Sequence, residues 1–228
     1  MTTTATTALI RYQTDLLVRS QRWLAPVLLY AAFLGVGVRS GQPVLDSLGY
    51  TAAGLLPVTA WLVQVCVTQE PPAARTVVAA AVGGQPRAHL AALLTALGCA
   101  GALGTAATAV VLAISDPKST DRTVRVPLPP AGAAGLLATA CCVLLGLAVG
   151  ALCTRPLLHR RGWSIAATVL AALLALVTTG SPAKYAVTGL VTGSLTGTVR
   201  VPVLPLLGAA AVAAAATALA CRLTSVRG

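Results

Sequence analysis

Residues 131–153 read AGAAGLLATACCVLLGLAVGALC and contain no charged side chain. A helix of this length can cross the hydrocarbon core of a bilayer, which takes about 20 residues. The whole chain shares this character: 57% of its 228 residues are hydrophobic, 9% are charged, and the mean hydropathy is +0.85. Soluble domains carry about 25% charged residues. The composition therefore excludes a soluble globular protein and predicts an all-α integral membrane protein.

Other apolar runs flank this segment on both sides. The predicted membrane spans are residues 23–39, 47–68, 89–115, 131–153, 163–180 and 204–221. We therefore expect a single domain of six transmembrane helices over residues 23–221, preceded by residues 1–22 and followed by a tail at 222–228. The first run also resembles the apolar part of a cleavable signal sequence, but retention as a span is favoured because further spans follow it.

Lysine and arginine outnumber aspartate and glutamate by 16 to 5. The basic residues lie in ones and twos between apolar runs, which indicates anchoring to anionic membrane lipids rather than binding to nucleic acid. Six spans place both termini on one side, and that side collects more basic residues, so we predict a multi-pass plasma-membrane protein with both termini cytoplasmic. The terminal side holds Arg11, Arg19, Arg22, Arg75, Arg87, Arg155, Arg160, Arg161, Arg222 and Arg227; the other holds Arg39, Lys118, Arg122, Arg125, Lys184 and Arg200.

Residues 1–22 are too polar to span a membrane. Their apolar residues recur near helical spacing and alternate with charged ones, which predicts an amphipathic helix lying in the membrane interface. The apolar set is Leu9, Ile10, Leu16, Leu17 and Trp23, and the charged set is Arg11, Asp15, Arg19 and Arg22.

The loop after the second predicted span, QEPPAARTVVAAAVGGQPRA at residues 69–88, is predicted to form a short cytoplasmic helix. Its Pro-Pro pair is typical of a helix start, and its Gly-Gly pair followed by proline is typical of a helix end. We expect Glu70 and Arg75 to point to water and Val77, Val78 and Val82 to pack. Such a helix can dock a partner protein, and a surface helix without a partner is the alternative.

The segment at 181–205 is too long for a tight turn and too apolar for a solvated loop, which predicts a partial, re-entrant helix in the outer leaflet before span six. Small residues recur along it at a spacing of four: Gly189, Gly193 and Gly197. Gly146 and Gly150 repeat this spacing in the fourth span. The pattern favours close helix contact, either within the chain or with a second copy.

The second span carries a stripe of small or weakly polar residues at spacings of three and four. A stripe of this kind lines either a transport pathway or a packed helix contact, and both interpretations remain open here. The stripe consists of Ser47, Tyr50, Gly54, Pro57, Trp61, Gln64 and Thr68.

The sequence places no ionisable residue at the centre of a predicted span. This argues against proton-coupled transport, whereas a sodium-driven carrier or an ion channel stays open. His89 and His159 lie at predicted span edges, so we expect no enzyme activity and no catalytic or metal site. The cysteines fall in or beside apolar runs and are interpreted as small buried residues. No phosphate-binding loop of the type GxxxxGK followed by Ser or Thr is present, so ATP hydrolysis requires another subunit.

The residues "RSQRWLAPVLLY" at 19–30 and "TQEPPAARTVVAAAVGGQPRAHL" at 68–90, with six spans and a re-entrant segment, resemble permease subunits of ABC transporters of the ABC-2 type. The resemblance implies that the loop helix is a coupling helix and residues 1–22 an elbow helix, both seated on a separate ABC ATPase that binds ATP and Mg²⁺. The implied ATPase contacts are Glu70, Pro71, Arg75, Arg87, Arg11, Asp15 and Arg19.

The resemblance further implies a pair of permeases, formed with a second copy or a paralogue. The chain itself would hold no cofactor. Because no charged side chain lines the predicted spans, the expected cargo is amphipathic or hydrophobic, such as a lipid, a modified peptide or a drug-like metabolite. The alternative function is a non-transporting membrane scaffold that uses the same loop to hold a cytoplasmic partner.

Overall fold

The computed structural model describes residues 3–154 and 161–227, and these residues are almost entirely helical. Arg155, His159 and Arg160, which enter the sequence predictions above, lie outside the described residues. Within the described ranges the structure holds two isolated β-bridges and no strand. The helices are α1 Thr3–Ser20, α2 Leu24–Gly37, α3 Val44–Thr68, α4 Pro72–Val82, α5 Gln85–Ile114, α6 Leu128–Cys153, α7 Arg161–Val177, α8 Pro182–Thr196 and α9 Val203–Arg227.

Proline and glycine mark many of the helix ends. Pro72 and Pro182 begin α4 and α8, where a missing backbone N–H costs nothing. Gly83 and Gly197 end the same two helices with φ of +80° and +69°, a left-handed conformation that glycine adopts without strain. A short helix is thus present within residues 69–88, and another within 181–205.

Every predicted span corresponds to a helix, but the helices differ in length. Within the described residues, α3, α5, α6 and α9 are long and apolar enough to cross a membrane. Helices α7 and α8 are bent by 49° relative to each other and supply a fifth crossing if they form one span. Helix α2 has 14 residues and is therefore about 21 Å long, shorter than the roughly 30 Å hydrocarbon core. Four or five crossings follow from length and composition.

The N-terminal helix predicted over residues 1–22 is present as α1. Helix α9 differs from its predicted bounds, because it continues to Arg227 through most of the predicted tail at 222–228. No helix-breaking proline or glycine occurs between residues 209 and 227, so nothing local ends the helix at the expected boundary.

Helix α3 lies at the centre of the bundle and packs against α2, α5, α6, α7 and α8. Helix α6 approaches it most closely at Gly146 and Gly150. A Cβ added at Gly146 would lie 2.5 Å from the Leu56 carbonyl oxygen, and one at Gly150 would lie 2.9 Å from the Ala60 carbonyl oxygen. The small-residue spacing in the fourth predicted span therefore serves contact within the chain.

The loop between α5 and α6, residues 115–127, is hydrogen-bonded to both α3 and α8. The backbone N–H of Val44, the first residue of α3, donates to the Asp116 carbonyl oxygen at 3.1 Å. The backbone N–H of Thr120 donates to the Ser194 carbonyl oxygen in α8 at 2.9 Å, and the two hydroxyl oxygens lie 3.1 Å apart. The beginning of α3 and the end of α8 are thus held by one ordered loop.

Candidate functional site: the surface formed by α1 and α4

Helix α1 contacts the bundle through one narrow face. Leu9, Gln13 and Leu17 follow one another at a spacing of four and are 8%, 1% and 2% exposed. Leu17 packs into an apolar cluster formed with α3, α5, α6 and α9. Arg11 and Asp15 are exposed. The amphipathic character predicted for residues 1–22 is confirmed, but the most deeply buried face contacts protein.

A polar junction joins α1 to the connection between α3 and α4. Gln13 Nε2 donates to Glu70 Oε1 at 2.8 Å. Gln69 Nε2 donates to Gln13 Oε1 at 2.7 Å and lies 3.4 Å from the Gln13 carbonyl oxygen. Tyr12 lies beside Glu70, and partial burial, followed by the charge of Glu70, raises the pKa of Tyr12. We call Tyr12, Gln13, Gln69 and Glu70 the elbow junction.

Two arginines tie α4 to its own chain. Arg75 Nη2 donates to the Val67 carbonyl oxygen at 2.8 Å, in the last turn of α3. Arg87 Nη1 donates to the Val82 carbonyl oxygen at 2.9 Å, at the end of α4. The expectation that Glu70 and Arg75 point to water is wrong, because both are half-buried and hydrogen-bonded to neighbouring elements.

An apolar groove of about 360 Å³ runs between α1 and α4, lined by Ala8, Leu9, Tyr12, Val78, Ala81 and Val82. Val78 and Val82 are half-buried and line this groove. The expectation that Val77 packs is wrong, because its side chain is 69% exposed. The remaining predicted contact residues are also exposed: Arg11, Asp15, Arg19, Pro71 and Arg87. The apolar groove between the two helices is therefore a candidate docking surface, and we call it, together with these exposed residues, the α1–α4 surface.

Part of the predicted α3 stripe is used for packing. The ring of Tyr50 stacks on Phe33 of α2, with ring centroids 4.2 Å apart and planes 4° apart. A Cβ added at Gly54 would lie 2.4 Å from the same Phe33 ring, so this glycine admits α2. Further along, Gln64 Nε2 donates to Ser164 Oγ in α7 at 3.3 Å and to Thr168 Oγ1.

Most of the remaining stripe residues are exposed. Pro57, Trp61 and Thr68 are exposed, Trp61 by 38%, whereas Ser47 is buried at the beginning of α3. Since α2 covers one part of the stripe and α7 covers another, Pro57 and Trp61 lie on the uncovered part of the central helix. The stripe thus divides into packed positions and an exposed strip.

Gly189 and Gly193 of α8, and Gly197 directly after it, differ in their surroundings. A Cβ at Gly193 would lie 2.5 Å from the Thr198 carbonyl oxygen, and one at Gly197 would lie 2.7 Å from Val124 Cγ1. Both glycines therefore permit close contacts within the chain. A Cβ at Gly189 would meet no atom within 4 Å, so this position has space for contact with another molecule.

Sequence reasoning missed Gln13 and Gln69, which join α1 to the connection between α3 and α4. The sequence does carry a signal for Gln13: this amide stands between Leu9 and Leu17 on the apolar face of an amphipathic helix, where a polar side chain needs a partner. Nothing in the local sequence indicates that this partner lies at residues 69–70.

The described residues contain no group of three or more His, Cys, Asp or Glu side chains arranged to hold a metal ion. All six cysteines are free thiols and are buried or half-buried, in agreement with their interpretation as small buried residues. No known protein family matches the chain, and comparisons with curated proteins and solved structures likewise give no match.

Proposed function

We propose that this chain is the permease subunit of an ATP-driven exporter of the ABC-2 type, moving an amphipathic or hydrophobic substrate across the plasma membrane. The observation that carries the proposal is the α1–α4 surface, in which a capped loop helix and an amphipathic helix flank an apolar groove. Grooves of this kind receive apolar side chains of a partner protein. The proposed partner is a separate ABC ATPase that binds ATP and Mg²⁺.

In this proposal the chain crosses the membrane six times, with α2 as the first span and both termini in the cytoplasm. A helix as short as α2 can span when the bilayer thins locally and flanking residues reach the interface. Trp23 precedes α2 directly, and tryptophan favours this interfacial position.

Movement of α4 would reach the transport pathway through α3. The bond between Arg75 and the Val67 carbonyl oxygen, together with the short connection at residues 69–71, links α4 directly to the end of α3. Because α3 packs against five other helices, its displacement must shift its neighbours as well. Nucleotide binding in the ATPase would drive this displacement.

The exposed strip at Pro57 and Trp61 is the proposed contribution of this chain to the pathway. It would face a second copy or a paralogue, and Gly189 offers a further place for close contact with it. Leu170 and Leu173 of α7 are 59% and 55% exposed, which suits contact with lipid or with the second permease. The uncharged side chains of this region suit an amphipathic or hydrophobic cargo.

The topology can be checked by labelling single introduced cysteines with a membrane-impermeant maleimide. If α5 crosses the membrane, Ala80→Cys at an exposed position of α4 will be labelled only from the cytoplasmic side and Lys118→Cys only from the opposite side, because α5 separates these positions. The unmodified chain is the control, since its six cysteines are buried or half-buried. Labelling of both positions from the same side would contradict the topology.

The function can be checked by purifying the chain with its cytoplasmic partner and reconstituting both into liposomes. We expect no ATP hydrolysis by the chain alone, and substrate-stimulated hydrolysis with a partner that carries a phosphate-binding loop. A partner without such a loop would support the scaffold function instead. Flux through the purified chain without ATP would indicate a channel or an ion-driven carrier.

A further inference from the structure

We propose that Gln13 is a positioning residue that fixes α1 to the connection between α3 and α4, so that α1 and α4 move as one body. The contact does not depend on the proposed function. Its consequence for transport rests on that function, because only a moving partner makes the joint position of the two helices important.

The Gln13 amide is buried on the apolar face of α1. The Gln13 side chain is 1% exposed and lies between Leu9 and Leu17. Burying an amide is unfavourable unless its donor and acceptor groups are satisfied. Here both are satisfied, since the amide N–H donates to Glu70 and the amide oxygen accepts from Gln69.

The partners of this amide lie between α3 and α4. Gln69 is the C-cap residue directly after α3, and Glu70 lies two residues before the beginning of α4. Gln13 therefore contacts the segment where any motion of α4 relative to α3 must occur. The apolar contacts of α1 lack direction, whereas hydrogen bonds fix distance and orientation. The elbow junction thus determines where α1 lies along the bundle.

The consequence concerns the α1–α4 surface. Its groove has one wall on α1 and the other on α4, so its width depends on the relative position of these helices. With the elbow junction formed, a partner seated in the groove meets a single preorganised surface. With the junction broken, hydrogen bonds no longer fix the position of α1 relative to the connection before α4, and ordering the two helices on binding lowers the affinity for the partner.

The test is an exchange of amide and carboxylate across the junction. Gln13→Glu places two carboxylates together and should separate α1 from residues 69–70. The double variant Gln13→Glu/Glu70→Gln restores one carboxylate and one amide in reversed positions, and Gln69 can still donate to the new carboxylate. We expect hydrogen–deuterium exchange of the α1 amides in the purified chain to rise about tenfold or more in the single variant, corresponding to about 1.4 kcal/mol, and to return to near its original rate in the double variant.

Gln21→Glu makes the same chemical change at an exposed position and should leave exchange in α1 unchanged. Glu70→Ala removes one bond without adding a charge and should give a smaller increase, which keeps the proposal testable if the charged variant does not fold. Two results would overturn the proposal. One is unchanged exchange of the α1 amides in Gln13→Glu and Glu70→Ala, and the other is exchange in the double variant as fast as in Gln13→Glu.

A second readout separates this proposal from the proposed function. With the ATPase present, Gln13→Glu should reduce the amount of substrate moved per ATP hydrolysed, and the double variant should recover it. If no ATPase associates but the exchange results are as expected, the positioning role stands and the transporter function fails. If transport is ATP-driven but the exchange rates do not change, the positioning role is wrong.

Discussion

Replacing Gly146 by alanine is expected to destabilise the folded chain by about 1–3 kcal/mol, the usual cost of overpacking. The new Cβ would lie 2.5 Å from the Leu56 carbonyl oxygen and 2.8 Å from Thr59 Cβ. A backbone carbonyl in the middle of α3 cannot rotate aside as the tip of a flexible side chain does. Helices α3 and α6 must therefore separate, and the contact at the centre of the bundle is weakened.

The same substitution at Gly150 meets Val63 Cβ at 2.6 Å and the Ala60 carbonyl oxygen at 2.9 Å. Because both glycines lie on one contact, the double variant should show the largest loss. Thermal unfolding in detergent measures the effect. The matched control is Gly98→Ala in α5, where a Cβ would meet no atom within 4 Å and alanine should stabilise the helix by up to about 1 kcal/mol. Equal melting temperatures for Gly146→Ala and Gly98→Ala would refute the contact.

Replacing Val77 by aspartate is expected to weaken binding of the ATPase partner about 30-fold or more, the equivalent of roughly 2 kcal/mol for an apolar hot spot. Val77 lies on α4 and is 69% exposed, so the change should leave the fold intact. In the proposed complex Val77 contacts the ATPase, and a charge buried in that contact would lose its hydration without gaining a partner. Binding of the purified ATPase to the permease in nanodiscs, together with stimulated ATP hydrolysis, measures the loss.

Val201→Asp is the matched control, because Val201 is 49% exposed and lies between α8 and α9, across the membrane from α4 in the proposed topology. Retained affinity in Val77→Asp would show that the partner does not bind at α4. Arg75 is a poorer choice for this test, since its bond to the Val67 carbonyl oxygen makes folding and partner binding change together.

Much of the helix order follows from local features of the sequence. The Pro71-Pro72 pair and Gly83-Gly84 bound α4 because proline restricts the backbone before it and lacks an N–H, while glycine adopts the left-handed conformation that ends a helix. Uncharged apolar runs likewise predict the positions of α3, α5, α6 and α9. Hydropathy and backbone preference can both be read from residues that are neighbours in the sequence.

Helix length was less predictable where an apolar run continued beyond its helix. Residues 23–39 are long enough to span when counted by hydropathy, yet α2 ends at Gly37, and the chain then turns through Gly41 at φ +82°. Hydropathy records which residues avoid water, not whether their backbone stays helical. The position of α8, which follows α7 at a sharp bend, likewise depends on its packing against α3, α6 and α9.

Composition and backbone preference are properties of neighbouring residues. They are sufficient to predict the membrane environment, the order of the helices and the caps of α4. The tertiary structure alone decided which polar groups meet: Glu70 with Gln13 across 57 positions and Gln64 with Ser164 across 100. It also decided that α3 keeps Trp61 exposed while Tyr50 is covered. Such pairings are set by how whole helices pack against one another, and helical periodicity gives the face of a side chain but not the helix opposite it.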